Sequence, residues 1–341
     1  MKKIFKNKTI LITGGTGFLG QSIIKELTKY NPKSIRIFSR DEFKHQKVHE
    51  KFGFKFSGGL IRHFIGDVRD YERLKKAMKG CDIAIHAAAL KRIDMIEYNV
   101  EEVIKTNIQG TLNLVNAALE NNLENVIFIS TDKACSPVNT YGASKFIGER
   151  IITESNFNKG KSKTIFCSVR YGNVMNSTGS VLPLFTKKIK NDEIIPLTDG
   201  KMTRFLISPL GAVNLIFKAI KYGKGGEVFV PKLTSVRMDE LIYSLKRIYG
   251  KNNKIQIVGA RPGEKIHELM INNSEAEKTF EFEDTFVITS QIEKYQDKIY
   301  DYLKKSKKVI FEEYSSGDHP IKGIELDEFL LNAKKSIFDK N

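Results

Sequence analysis

Tyr141 and Lys145 are four residues apart, so Tyr141-Gly142-Ala143-Ser144-Lys145 presents a phenol and an ammonium on one helical face. A cation beside a phenol favours the phenolate and draws its pKa down from ~10 toward neutrality. Tyr141 then becomes a base able to take a proton from an alcohol as hydride leaves the same carbon. Just upstream, Thr131-Asp132-Lys133 sets a hydroxyl, a carboxyl and an amine side by side. Near the N-terminus, Gly14-Gly15-Thr16-Gly17-Phe18-Leu19-Gly20 has the spacing G-x-x-G-x-x-G. Glycines at those positions permit a tight turn and let backbone N–H groups approach a pyrophosphate, and a helix N-terminus adds partial positive charge.

These groups need elements to hold them. Thr9-Ile10-Leu11-Ile12-Thr13 is a buried strand running into the glycine loop, and a helix with Leu19, Ile23, Ile24 and Leu27 on its apolar face follows. Further strands are expected at 34–38, 63–67, 82–86 and 125–129, with a long helix from about Val100 to Leu119 before the last. Continuous apolar runs mark parallel strands buried on both faces. The fold class is therefore α/β, a Rossmann-type doubly wound parallel sheet. Thr131–Lys133 lies at the carboxyl end of a strand, where such sheets bind ligands. The second half is less regular, with strands at 163–170 and 226–230, a helix near 211–222 and a helix-strand-helix pattern ending near Ile271. It predicts a smaller, discontinuous α/β substrate-binding domain. Residues 1–175 with about 207–232 form the nucleotide-binding domain, about 176–206 with 233–290 the smaller one, and 291–341 an extension without assigned role.

The glycine loop points to a dinucleotide. Beyond the second strand comes Ser39-Arg40, followed by Asp41 and Lys44. A guanidinium suits a phosphate dianion, which favours NADP over NAD. Asp67-Val68 is placed to reach the adenine amino group, and Ala87-Ala88-Ala89 supplies the small side chains that a flat ring system needs.

The composition is close to that of an ordinary soluble globular protein: 341 residues, 41% apolar and 28% charged. No run reaches the ~18 apolar residues of a membrane-spanning helix, and the first apolar stretch is too short for a secretory signal. A cytoplasmic protein is expected. Cys81, Cys135 and Cys167 lack paired spacing. Ile266-His267-Glu268-Leu269-Met270-Ile271 lacks the second histidine of a zinc helix, so no metal is expected. The net charge of +16 comes from 56 Lys and Arg against 40 Asp and Glu. These lysines are dispersed and not interleaved with aromatics, which fits a small polyanionic substrate and argues against nucleic acid or a membrane as partner.

From about Asn7 to Leu269 the sequence resembles the extended short-chain dehydrogenase/reductase superfamily, and within it the inverting UDP-N-acetylglucosamine 4,6-dehydratases. Its motifs include the glycine loop, Ser39-Arg40-Asp41-Glu42, Gly66-Asp67-Val68-Arg69-Asp70, His86-Ala87-Ala88-Ala89-Leu90-Lys91 and Lys105-Thr106-Asn107. Downstream come Ser130-Thr131-Asp132-Lys133-Ala134, the Tyr141–Lys145 segment, Arg170-Tyr171-Gly172-Asn173-Val174, Met202-Thr203-Arg204-Phe205 and Arg261-Pro262-Gly263-Glu264-Lys265. The resemblance implies that Tyr141, assisted by Lys145, takes the C4 hydroxyl proton as hydride leaves C4. Lys133 then removes the C5 proton, Asp132 protonates the departing C6 oxygen beside Thr131, and hydride returns to C6. Lys133 has to be neutral and Asp132 protonated for those roles.

The same resemblance implies that Asn107 contacts the cofactor and that Lys91 and Asn173 lie near sugar and cofactor. It places Val181, Thr198, Met202, Arg204, Arg261 and Glu264 in the nucleotide-sugar pocket. The product would be UDP-2-acetamido-2,6-dideoxy-β-L-arabino-hex-4-ulose, made for surface-glycan or glycoprotein-sugar biosynthesis, and a homo-oligomer is expected. A configuration-retaining dehydratase, a nucleotide-sugar 4-epimerase and a catalytically silent NADP-binding regulator are the alternatives. Arg92-Ile93-Asp94-Met95 and the tail Tyr314-Ser315-Ser316-Gly317-Asp318 depart from the family pattern.

Overall fold

Alternate residues of the first strand face opposite sides of a sheet, and both sides are apolar. In the computed structural model, which describes residues 1–52, 59–177, 179–290, 292 and 300–338, β1 (Thr9–Thr13) is buried along its whole length. Ile10 and Ile12 pack with Ile23, Ile24 and Leu27 of the helix Phe18–Leu27. Leu11 packs the other way, with Leu74, Ala77, Leu114 and Ala118. This two-sided burial recurs in β2 (Ser34–Ser39), β4 (Ile83–His86), β5 (Asn125–Ile129) and β6 (Ile165–Val169), and fixes a central sheet with helices on both faces.

With β3 (Ile61–Ile65), these strands run parallel in the order β3-β2-β1-β4-β5-β6. The order reverses between β1 and β4, where Thr13 is in register with His86. A crevice at the carboxyl ends of the strands opens at such a reversal. The segment expected as one helix from Val100 is a helix, Val100–Val103, a π-helical turn, Ile104–Gln109, and a helix, Gly110–Glu120. Single π turns of this kind often mark functional sites.

The second half builds a smaller unit. β7 (Asn173–Val174), β9 (Thr203–Ile207) and β11 (Thr234–Arg237) form a sheet, and β8 (Ile195–Leu197) pairs with β12 (Ile255–Ile257). β10 (Val228–Pro231) returns to the large sheet beside β6. β13 (Leu269–Ile271) is a strand where a helix is expected from sequence. β14 (Thr279–Phe282) and β15 (Thr285–Ile288), expected in the smaller unit, instead add antiparallel to β10 and complete nine strands in the large sheet. The described part of the tail is also built into the molecule. Its β16 (Tyr314–Ser315) pairs with β13, its β17 (Pro320–Ile321) pairs with β11, and Leu326 and Leu330 of its helix Gly323–Phe338 enter the smaller unit's core with Met202 and Leu241. Among the described residues no helix is long and apolar enough to cross a membrane.

Candidate active site

The glycine loop lies at the reversal. Gly14 has φ +68°, and a Cβ there would come within 2.9 Å of the Ala87 carbonyl and the Ala88 nitrogen. Only glycine fits that backbone and that approach. A Cβ at Gly20 would overlap Gly15, which sets helix Phe18–Leu27 tight against the loop. Gly17 is the N-cap of that helix and no side chain caps it, so its first N–H groups present an anion site formed by backbone alone. The Thr16 N–H donates to Ser39 Oγ at 3.4 Å, tying the loop to the end of β2.

Arg40 follows β2 and lies 3.5 Å from the Asp67 carboxylate beyond β3. Asp67 is also gripped by the Arg69 backbone and guanidinium. Burial works against the Asp67 charge, but these arginines outweigh it and hold its pKa below the usual range. Asp41 turns away: its carboxylate accepts from the Lys44 N–H at 3.0 Å and pairs with the Lys44 ammonium at 3.3 Å. Asp41 thus pins the start of the helix Glu42–Phe52, while Arg40 and Arg69 face Asp67.

Asn107 is a strut. Its Oδ1 accepts from the Leu90 N–H and its Nδ2 donates to the Leu90 carbonyl and to Ser144 Oγ, at 2.8–2.9 Å. Its side chain is buried, with both polar atoms engaged inside the protein, so it positions Leu90 and Ser144 instead of presenting itself to a ligand. Ser144 Oγ in turn donates to the Tyr141 carbonyl. His86 bridges Thr13 and Thr111, and burial, with the Lys145 charge nearby, drives its pKa down to about 3. It is a neutral tie between β4 and its neighbours.

Beyond β5 the chain turns sharply, and Asp132 is fully buried. Asp132 Oδ1 accepts from Thr131 Oγ1 at 2.9 Å and from Lys133 Nζ at 3.0 Å, while Oδ2 is buried without a partner. Burial raises the Asp132 pKa; Lys133 pulls against it and Glu268 adds to it. Lys133 Nζ also contacts Glu268 Oε1 at 3.1 Å. Burial disfavours the ammonium, yet the two carboxylates prevail and raise its pKa, with Arg204 opposing them. The Lys133 shift thus runs against the neutral amine expected from the sequence and favours an ammonium held between Glu268 and Asp132, while the Asp132 shift runs toward the protonated carboxyl expected there.

Tyr141 opens the helix Thr140–Asn158, where Asn139 Oδ1 caps the Gly142 N–H at 2.8 Å. A Cβ at Gly142 would overlap the Lys133 carbonyl oxygen, so this glycine lets the helix sit directly on the Asp132–Lys133 turn. Burial pushes the phenol up to about 12, with Lys133 and a hydrogen bond to Thr131 pulling the other way. Lys145 is not the cation acting on it. Its ammonium lies 4.2 Å from the centre of the Phe128 ring, and burial, partly opposed by Glu149, takes its pKa down to about 7.

Of the expected pocket residues, Met202 and Arg204 are buried next to this group. Arg204 donates to the Thr203 and Ile266 carbonyls and lies 3.8 Å from Glu268 Oε1. Asn173 is in β7, Val181 begins the helix Val181–Lys190, and Thr198 follows β8, each half-buried. Arg261 and Lys91 are exposed, and the Arg261 N–H donates to Glu264 Oε2. That loop is tied to the segment following the Asp132–Lys133 turn by Asn139 donating to the Gly263 carbonyl and Lys265 to the Cys135 carbonyl. Glu268 is the residue that sequence reasoning missed, although it closely follows the Arg261–Lys265 motif.

Residues 10–290 match the polysaccharide biosynthesis protein family. The chain belongs to that family. Within it, an inverting UDP-N-acetylglucosamine 4,6-dehydratase of Campylobacter jejuni is 42% identical over 88% of this chain and 87% of its own length. A Methanocaldococcus jannaschii protein named as an uncharacterized membrane protein is 45% identical over 84% and 87%. A UDP-glucose 4-epimerase of Rickettsia bellii is 38% identical over 96% and 97%. Among solved structures, Pen from Bacillus thuringiensis superposes with a TM-score of 0.89 at 38% identity, covering 97% of this chain and 99% of that one. The polysaccharide biosynthesis protein family, as these relatives represent it, includes nucleotide-sugar dehydratases and epimerases.

Proposed function

We propose that the chain is an NADP-dependent UDP-N-acetylglucosamine 4,6-dehydratase that inverts C5. The buried Asp132–Lys133 pair beside Tyr141 carries this reading. A 4-epimerase works at C4 alone and has no use for a second acid–base pair. Elimination across C5–C6 needs both a base at C5 and an acid at the C6 oxygen. The inverting relative's name agrees with the second pair.

The protonation pattern required is one proton away from the resting one. Moving a proton along the 3.0 Å Lys133–Asp132 hydrogen bond turns the ion pair into a neutral amine and a carboxylic acid. Burial of Asp132 favours that exchange. Lys133 then takes the C5 proton and Asp132 gives its proton to the leaving C6 oxygen, which restores the ion pair and releases water. Once hydride has returned to C6, C5 takes up a solvent-derived proton on its opposite face, which sets the inverted configuration. The chemistry that a bound nicotinamide supplies is acceptance of hydride from C4 and its return to C6. Tyr141 takes the C4 hydroxyl proton, with Lys133 and Thr131 the groups that ease its ionisation. The glycine loop and the open helix N-terminus would hold the pyrophosphate, and Arg40 a 2′-phosphate. With Asp41 held by the Lys44 N–H and ammonium, Arg40 is the cation that favours NADP.

One experiment tests the whole reading. Incubation with UDP-N-acetylglucosamine in heavy water should give the L-arabino 4-keto sugar with deuterium at C5, seen by NMR, and denaturation should release a nucleotide with the mass of NADP(H). A D-xylo product would move the assignment to a retaining dehydratase. A C4 epimer that keeps its C6 oxygen would move it to an epimerase, and release of NAD alone would remove the role given to Arg40.

A further inference from the structure

Glu268 is buried at the end of the loop leading to β13, with Oε1 on Lys133 Nζ and Oε2 without a partner. Its backbone is held by the tail. The Glu268 N–H donates to Ser316 Oγ at 2.8 Å, and the Ser316 N–H donates to the Glu268 carbonyl at 2.9 Å. Ser316 is fully buried, and its hydroxyl is 2.7 Å from Thr203 Oγ1, which also meets His267 Nδ1 at 2.8 Å. A Cβ at Gly317 would come within 2.9 Å of the His267 ring, so the tail lies directly on this loop. A short segment of the tail thus clamps the residue that gives Lys133 a second carboxylate.

We infer that Glu268 is a positioning residue that keeps the shared proton of the Asp132–Lys133 pair on Lys133, and that Ser316 of the tail holds it in place. Lys133 Nζ meets Asp132 at 3.0 Å and Glu268 at 3.1 Å. Burial raises the Asp132 pKa, while Lys133 and Arg204 hold that of Glu268 low, so Asp132 is the carboxylate that trades its proton with Lys133. Glu268 is a fixed anion on the far side of the ammonium, outside that exchange, and it stabilises the charge-separated form that elimination regenerates. The other charged or titratable groups acting on this cluster are Arg204 from β9 and Tyr141 from the helix Thr140–Asn158, with Lys265 acting on Glu268 from its own loop. Arg204 opposes Glu268 at Lys133, so removing the Glu268 charge leaves a cation with one carboxylate and an arginine.

This inference rests on reading Asp132 and Lys133 as the elimination pair, and its test reads Lys133 without turnover. In nucleotide-stripped protein carrying 13Cε-lysine, with the Lys133 signal assigned by Lys133→Arg, the titration midpoint of Lys133 should fall by about 1–3 pH units in Glu268→Gln, the usual effect of one close opposite charge. Glu268→Asp keeps the charge and should restore most of the midpoint. Ser316→Ala should lower it in the same direction by a smaller amount, and serves as the second route if Glu268→Gln does not fold. A midpoint unchanged in Glu268→Gln overturns the inference, as does one unchanged in Ser316→Ala for the role of the tail. If the midpoint falls while wild-type enzyme exchanges no C5 hydrogen of UDP-N-acetylglucosamine in heavy water, Glu268 keeps its role and the dehydratase reading fails instead.

Discussion

An ammonium buried over an aromatic ring loses much of its preference for the proton, and Lys145, with its pKa near 7, has a consequence for stability that depends on pH. In the unfolded chain Lys145 takes its proton below ~10.4. In the folded chain it does so only below about 7. Between those values the unfolded state binds the extra proton, so stability falls as pH drops through the window and levels off below it. Lys145→Met keeps the bulk and removes the charge. At about pH 7 it should stabilise nucleotide-stripped protein by ~2–4 kcal/mol, given ~1.4 kcal/mol for each pH step separating the folded and unfolded midpoints and some relief by relaxation. Near pH 10.5 most of the gain should be gone. Urea unfolding at both pH values checks this, and an equal gain at both would show that packing, not charge, is responsible.

At the scale of elements, the site depends on how closely the helix Thr140–Asn158 meets the turn after β5. Gly142 makes that contact, and the atoms a Cβ would strike are the backbone carbonyl of Lys133, which cannot swing aside. Gly142→Ala should therefore lift the helix off the turn, with a stability loss of ~1–3 kcal/mol as for other overpacked sites. C5 exchange should fall further than stability does, since Tyr141 and Lys133 separate together; retention of both near wild-type levels would disprove the contact. This helix and β1 to β6 are legible in the sequence because each carries its own signal. Tyr141 and Lys145 mark one helical face, and the strands are apolar runs buried on both sides. The rest is hidden by distance. Glu268 comes near Lys133 only through folding of the smaller unit, and Ser316 meets Glu268 and Thr203 across 48 and 113 residues of chain. Leu269-Met270-Ile271 is three apolar residues long, too short to show whether it is a strand or a helical turn. In the tail, β16 and β17 are two residues each and leave no periodicity, while Leu326 and Leu330 of the helix Gly323–Phe338 do carry an i, i+4 apolar pair.

Across the whole molecule, the large sheet and the smaller unit are joined behind the site by a buried charge cluster. Arg170, with no exposure, donates through Nε and Nη2 to both oxygens of Glu149 and through Nη1 and Nη2 to both oxygens of Glu275; Nη1 also reaches the Met270 carbonyl. Glu149 lies on the Tyr141 helix, Met270 in β13 next to Glu268, and Glu275 on the short helix Asn273–Ala276 that precedes β14. One guanidinium therefore sets the spacing between the Tyr141 helix and the strand that follows Glu268. Burying such a group is costly in itself, and its removal is worse, because it leaves two buried carboxylates without the guanidinium that hydrogen-bonds them. Arg170→Met should lower stability by ~3–5 kcal/mol near neutral pH. In that variant Glu275 keeps its burial and loses the Arg170 charge that held its pKa down, so its folded pKa rises and the loss grows as pH increases. It should shrink below about pH 5, where glutamates take up protons even when unfolded. Adding Glu149→Gln and Glu275→Gln to Arg170→Met should recover much of the loss at neutral pH. Urea unfolding of the single and triple variants near pH 5 and pH 7 reads all three expectations, and a loss under ~1 kcal/mol, or one indifferent to pH, would mean that packing and not the arginine joins the two units.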